Sequence, residues 1–576
     1  MANIYDKASL VMIPSGTKTS KIFSQKPVNG DGDFTFSRST AATRVNADGN
    51  IEKETQNLLT HSGDLTQWTP ANTGTETATT DPLGGNKAFI LNDQDAAAYY
   101  RLESNAVSIT GVVTGSVYIK KTTGALSNYA GIEVSSVGSY IIIDTTNGTY
   151  NISSLSAYVD VKIESAYSDW WRVSAVVSDY TSGAVFNLWP AISSDGTSIT
   201  NSAQGSNTFY APQMEKGMVA RDYIETTTAA VEGGITDNVP RLDYTDSSCP
   251  ALLLEPQRTN VLTNSEYFSG WSTAGGTITR TDNATTSPEG VDNAARVVSS
   301  STGARMRGGN VSVTSGEKWT YSIFAKENTT DSFIMRHEVS ANFSVTFDLG
   351  DESFTGSGGW YDDAAIEDYG DGWYRCIVYL TADSTENRSF ELVFYNNDDL
   401  YFYGAQAELG SYPTSYIPTY GTSVTRTADG DVSKNVSSLN LLGNTYSIFF
   451  DCDNVNYGTS NANFNYLNSS IGGSAMYVYG STLGINTTTG DDYSNFLQGF
   501  TNPKGGKFLA VYNGSNVKIY KDGSLYKTIS NPSARWDNAT TYRLKMISAT
   551  ATISYNTFML FPTALSNEEA IALTTI

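Results

Sequence analysis

A chain of 576 residues is longer than one hydrophobic core supports, so several domains of ordinary size are expected. Ser, Thr, Asn, Gly, Tyr and Val dominate, and 36 tyrosines stand among few charged residues, which is a vocabulary of strands and turns rather than helices. The formal charge of −23 argues against nucleic acid, whose phosphate backbone needs a basic surface, and disfavours an anionic membrane.

Cys249, Cys376 and Cys452 lie far apart with no metal-ligand spacing, and His61 and His337 are isolated, so neither a disulfide framework nor a zinc site is expected. The start "MANIYDKASLVMIPSG" lacks a basic stretch followed by an apolar core, and no apolar run is long enough to cross a bilayer. Synthesis and assembly in a cytoplasm, without membrane insertion, are the expectation.

Residues 1–56 are too polar and too short for a core of their own and are expected to order against a partner. Beyond them, segments such as "GSVYIKK" (Gly115 to Lys121), "WTYSIFAKE" (Trp319 to Glu327) and "RSFELVFY" (Arg388 to Tyr395) alternate apolar and polar residues, the period of a half-buried strand. Turn formers such as "TTNGTY" (Thr145 to Tyr150), "GDGW" (Gly370 to Trp373) and "KDGS" (Lys521 to Ser524) separate them, at intervals suited to antiparallel hairpins. These features predict an all-β chain of tandem antiparallel β-sandwiches, with a single short helix at the end, "LSNEEAIALTT" (Leu565 to Thr575), capped by Ser566.

Two stretches repeat. "NLLTHSGDLTQW" (Asn57 to Trp68) matches the second half of "ALLLEPQRTNVLTNSEYFSGW" (Ala251 to Trp271), and the landmarks that follow keep their order. "SDWWRVS" answers "GDGWYRCIV", "FYAPQMEKG" answers "FYGAQAELG", and "RDYIETT" answers "TSYIPT". Trp68 and Trp271 are separated by the same 203 residues as Arg172 and Arg375, whereas Glu215 and Glu408 are 193 apart, so one loop differs in length. The predicted division is a leader at 1–56, a first sandwich at 57–230, a connecting segment at 231–259, a repeat of the first sandwich at 260–430 and a different sandwich at 431–576.

Residues common to both copies serve the module. Trp68 and Trp271 are candidates either for stacking on a sugar face or for plugging the end of a core. Arg172 with Glu215, and Arg375 with Glu408, are candidates for structural ion pairs, or each arginine for gripping a ligand carboxylate. In the last third, Tyr477 and Tyr479 of "SAMYVYGS" are candidate glycan contacts on a sandwich rim. Asp451, Asp453, Asp491 and Asp492 are candidate oxygen ligands for Ca2+, and no other cofactor is expected. The run "WYDDAAIEDYGDGW" (Trp360 to Trp373) supplies Asp362, Asp363, Glu367 and Asp368, which could serve as a glycosidase pair but read better as a solvated loop. With no GxSxG, HExxH or P-loop pattern, no enzyme is expected.

The stretch from "LLLEPQRTNVLTNSEYFSGW" to "AQAELGSYPTSYIPT" resembles the carbohydrate-binding-module-type jelly rolls of tailed-bacteriophage appendage proteins, such as tail and head fibres. "ASLVMIPSGTKTSKIFSQKP" leading into "GDFTFSRSTAATRVNADGNIEK" is similar to the start of many phage structural proteins. The last third, with its "KDGS" hairpin and closing "LSNEEAIAL" helix, is similar to laminin-G and concanavalin-A-like sandwiches, some of which bind sugars or calcium. The resemblance implies a virion component, a homotrimer that docks to other virion proteins through residues 1–56 and touches host surface polysaccharide. Its alternative is an architectural decoration of collar, head or tail without a ligand.

Overall fold

The computed structural model describes residues 4–575, apart from 125–127, 135–137, 154–157, 339–341, 431, 437–444, 458–462, 470–473, 480–481, 486–504, 531, 533–535, 537–538 and 545–550; within 454–485, 539–540 and 542–551 only the backbone is described. The chain is all-β, built from antiparallel sheets, and among the described residues its one helix of more than a single turn is Asn567–Thr574.

The two repeats are topological copies. In the first, one six-stranded sheet runs Tyr158–Ala166, Trp170–Tyr180, Gly111–Lys120, Gly205–Lys216, Ala88–Asp93, Gly74–Thr79. The second repeat has the same order in Tyr361–Asp368, Trp373–Thr381, Lys318–Glu327, Asp399–Leu409, Ala294–Ser299, Ile278–Thr285. A second six-stranded sheet faces each of these across a core. The alternation read from the sequence is the reason: in Trp373–Thr381, Cys376, Val378 and Leu380 enter the core, while Arg375 and Tyr379 project from the outer face. Each fully buried Leu, Ile or Phe contributes about 1.5–3 kcal/mol, so these stripes fix the register.

The terminal sandwich is assembled from three separate parts of the chain. Its two sheets have eight strands each among the described residues. One sheet pairs Leu10–Met12 with Ala551–Phe561, Leu10 opposite Leu560, and pairs Ala251–Leu254 with the same strand, Leu252 opposite Tyr555. The other takes in Thr17–Lys18, Lys21–Ile22 and Phe34–Thr35, the last reaching Ser433. The core correspondingly mixes Leu10, Met12, Ile22, Phe34 and Phe36 with Leu252 and Leu254 and with Tyr446, Ile448, Trp536, Phe558 and Leu560. This corrects two expectations. The apolar residues of the leader are covered by the chain's own last domain, because they lie at alternate positions of strands that the sheet can accept. The segment at 231–259 carries two strands of that sheet as well as connecting.

Local chemistry explains the elements around this core. The hairpin between Asn516–Lys521 and Ser524–Ser530 turns through Asp522 and Gly523, at φ 46° and 77°, the mirror-image turn that matches strand twist. The helix Asn567–Thr574 starts with a capping box, in which Ser566 Oγ accepts from Glu569 N–H and the Glu569 carboxylate accepts from Ser566 N–H. Lys7, in the short turn Ile4–Lys7, pairs with Glu569, and Ile4, Tyr5 and Ala8 pack with Leu565, Ala570 and Leu573.

Candidate ligand site at the junction of the modules

Each repeat closes with the same polar clamp. Asn57 Nδ2 donates to the carbonyls of Pro212 (3.2 Å) and Ile224 (2.8 Å), as Asn260 Nδ2 does to Ala405 (3.0 Å) and Ile417 (2.9 Å). Gln213 and Gln406 then donate to Glu215 and Glu408 at 2.9 and 2.8 Å. The arginines come next, and they correct the expected ion pairs. Arg172 and Glu215 both bind Arg221, and Arg375 and Glu408 both bind Thr414, one to each end of the residue. The guanidinium groups lie over Tyr118 and Phe324, 5.5 and 5.6 Å from the ring centroids, which aims them at the arm that closes the module. Burial pushes the Glu215 carboxyl up to about 7 in spite of its hydrogen bonds.

The tryptophans are core residues. Trp68 and Trp271 are each 4% exposed, and their indole N–H groups donate to the carbonyls of Thr60 (3.1 Å) and Asn264 (2.8 Å). Trp271 packs against Phe268 and Phe390, with centroids 5.0 and 5.8 Å away. Neither indole can offer a face to a sugar, so the glycan-binding assignment of these two residues is corrected. Tyr477 and Tyr479 lie on the strand Ser474–Tyr479, but their side chains fall outside the described residues, as do Asp491 and Asp492 entirely. Asp451 and Asp453 share the strand Tyr446–Tyr457, Asp453 accepting from Asn556. Among the described residues, no group of three or more His, Cys, Asp or Glu side chains is placed to hold a metal ion.

The structure brings together residues that sequence reasoning did not single out. Between the leader, the second repeat and the terminal sandwich lies a buried ring of Arg38, Arg241, Arg426, Glu255 and Asp429. Arg38 Nη1 meets Asp429 Oδ1 at 2.9 Å, and Arg241 bridges Asp429 and Glu255. Arg426 meets Glu255 at 2.5 Å and donates to the Pro256 carbonyl at 2.7 Å. Burial alone would raise the Glu255 carboxyl, but Arg426 and Arg241 hold it at about 2. The stretches "FSRST", "EPQRTN" and "TRTADG" supply Arg38, Glu255, Arg426 and Asp429, and their arginines and carboxylates in otherwise weakly charged sequence were the available signal.

Beside this ring opens a cavity of about 560 Å³. Its floor is the outer face of the second repeat, where Glu367 stands opposite Arg375 on adjacent strands, with Tyr369 and Tyr379 beside them. Asp368 belongs to the same rim, so the acid run expected as a loop is instead the edge strand Tyr361–Asp368. Arg44 and Asp243 come from the leader and the connecting segment, and Thr552 and Ser554 from the terminal sandwich. Arg44 is held by Glu52 at 2.7 Å, and Asp243 accepts from the N–H groups of Val45 (2.9 Å) and Thr245 (3.1 Å). Burial pushes the Tyr369 and Tyr379 phenols up to about 12, so both stay neutral. Carboxylates that accept from hydroxyls, two guanidiniums and flat tyrosine rings suit a neutral polyhydroxyl ligand, and the volume falls in the ligand-pocket range of about 300–1,000 Å³.

No described protein family matches this chain, and no curated protein sequence matches it. Among solved structures it is similar to the N-terminal CBM22-1–CBM22-2 tandem domain of Xyn10C from Paenibacillus barcinonensis, at 12% identity, covering 61% of this chain and 96% of that one, with a TM-score of 0.18.

Proposed function

We propose that this chain is a non-enzymatic virion protein of a tailed bacteriophage, a fibre- or spike-type appendage that adheres to a host surface glycan through the junction cavity. The observation that carries the adhesive part is the polar, tyrosine-edged cavity of about 560 Å³, walled by all three parts of the molecule. The appendage part is supported by the sequence stretches that resemble phage structural proteins, several of which supply the buried ring around that cavity.

Binding of the full chain to an array of bacterial surface oligosaccharides tests this reading. Retention of a sugar that is weakened at least about tenfold by both Glu367→Gln and Tyr379→Ala is the expected result, tenfold corresponding to the loss of one good hydrogen bond or stacking contact. A folded chain that retains none of the sugars, or retention indifferent to both changes, refutes adhesion through the cavity. The second reading, an architectural decoration, is favoured by the buried ring and the shared strands, which join the domains rigidly.

A further inference from the structure

A second buried cluster lies where the leader and the two repeats meet. The side chains of Lys53, Glu266 and Glu289 are 9%, 0% and 0% exposed, and Asn293 is 1% exposed. Lys53 Nζ lies 2.9 Å from Glu266 Oε1 and 3.2 Å from Oε2, and it also contacts Glu289. Asn293 Nδ2 donates to the same Glu266 Oε2 at 3.3 Å. One carboxylate oxygen therefore touches both an amine and a carboxamide.

The remaining contacts divide the labour. Tyr416 and Tyr420 donate to Glu266 Oε1 at 3.0 and 2.9 Å and Tyr403 donates to Glu289, so Lys53 spans both Glu266 oxygens while Asn293 meets Oε2 alone. Arg221 pairs with Glu289, so the cluster holds two carboxylates and two cations, Lys53 and Arg221. A proton passed from Lys53 to Glu266 leaves no charge uncompensated in the low-dielectric interior. Asn293 Oδ1 is buried with no hydrogen-bond partner. A salt-bridge cluster has no use for a carboxamide whose buried oxygen is left without a donor.

We propose that Lys53 and Asn293 form an intramolecular isopeptide bond, with Glu266 carrying the proton. Lys53 gives a proton to Glu266 and attacks the Asn293 side-chain carbon as the neutral amine. Its Nζ–C bond forms, Glu266 returns the first proton to Asn293 Nδ2, the C–Nδ2 bond breaks, and the second proton shed by Lys53 Nζ passes through Glu266 to the released ammonia. The net change is an ammonium and a carboxamide converted to a secondary amide and an ammonium ion. Lys53 and Asn293 both touch Glu266 Oε2 in a site closed to water, which is the arrangement the reaction draws on. The bond ties the leader to the second repeat and encloses the whole first repeat in a covalent loop, which reduces the freedom of the unfolded chain as a disulfide does.

Intact-mass spectrometry of the full chain, followed by peptide mapping, tests the proposal. The expected result is a deficit of one ammonia and a branched peptide joining Lys53 to Asn293. Lys53→Arg and Asn293→Ala should each restore the sequence mass. Glu266→Gln, which keeps both reacting groups, should leave the chain unlinked. Recovery of Lys53 and Asn293 from the unaltered chain in separate, unmodified peptides overturns the proposal, whatever the variants do. A deficit of one water mapped to Lys53 and a glutamate overturns it too, and a linked Glu266→Gln chain overturns the role of Glu266.

Discussion

Arg375 and Glu408 hold opposite ends of one residue. Arg375 Nη2 donates to the Thr414 carbonyl at 2.8 Å, while the Glu408 carboxylate accepts from Thr414 N–H at 2.8 Å and from its hydroxyl at 2.7 Å. Arg172 and Glu215 take hold of Arg221 in the same way. The clamp pins the arm that returns over the outer face of each repeat, and that arm carries Ser415 and Tyr416 to the cavity in the second.

Arg375→Ala should destabilise the second repeat by about 2–4 kcal/mol, because it strands a buried carbonyl and weakens the field on Glu408. Denaturant unfolding followed by tryptophan fluorescence measures it. Arg375→Lys should recover less than half of the loss, since an ammonium cannot both reach Thr414 and lie flat over Phe324. An Arg375→Ala chain as stable as the original shows the clamp to be dispensable.

Trp271→Ala should cost about 3–5 kcal/mol, the range for deleting a large aromatic from a packed core, and should leave oligosaccharide retention unchanged once the protein is folded. Differential scanning calorimetry alongside the array separates the two effects. Selective loss of retention by a chain of normal stability contradicts the placement of this indole in the core.

Stability should depend on pH in opposite senses on either side of the ordinary carboxyl range. Glu215 ionises near its ordinary value of 4.5 when unfolded but keeps its proton up to about 7 when folded. Between these values the folded state holds more protons, so stability falls as pH rises, by on the order of 3 kcal/mol for this buried group. Glu54, raised to about 7 by burial and by Glu232, adds to the same arm. Glu255 and Glu289 are held below their ordinary value by arginines and lysine once burial is outweighed, so their contribution is lost as pH falls below about 4.5. Unfolding free energies across pH 3 to 8 should peak near about pH 5, and Glu215→Gln should flatten the descent toward neutrality. A monotonic rise up to pH 8 contradicts the assignment.

Removing residues 1–37 should unfold the terminal sandwich while leaving both repeats folded. Leu10, Met12, Ile22, Phe34 and Phe36 are 0–3% exposed in that core, and each large-to-small change there costs about 2–5 kcal/mol. Limited proteolysis should then cleave the Val432 to Phe561 region rapidly and spare the repeats. This replaces the expectation that the leader orders against another chain; an intact terminal sandwich after the deletion would falsify it.

Much of the architecture was legible in the sequence because a repeat announces itself. The alternation in "WYRCIVYLT", the matched tryptophans and the shared Arg and Glu positions place two copies of one sheet order. The "KDGS" turn and the Ser566 cap were equally plain, since their chemistry is local. The third domain's composition was not legible: nothing local in "SLVM" or "ALLL" says which distant strand either will join, because register against residues 551–561 is decided by long-range packing. For the same reason Arg38, Arg241 and Glu255 looked unrelated until the sheets brought them together. The partners of Arg172 and Arg375 were misjudged because opposite charges in one motif suggest a pair, and the arm between them was left out.

The shared strands give the molecule the organisation of a host with two guests. The described residues of 8–36, 241–254 and 432–575 form one sandwich, and each repeat is inserted through a gap in it, leaving from one of its two sheets and returning to the other. The first turn and the last helix also meet there, through Lys7 and Glu569. A repeat can therefore be exchanged for another domain of matching end-to-end spacing without cutting a strand of the host sandwich.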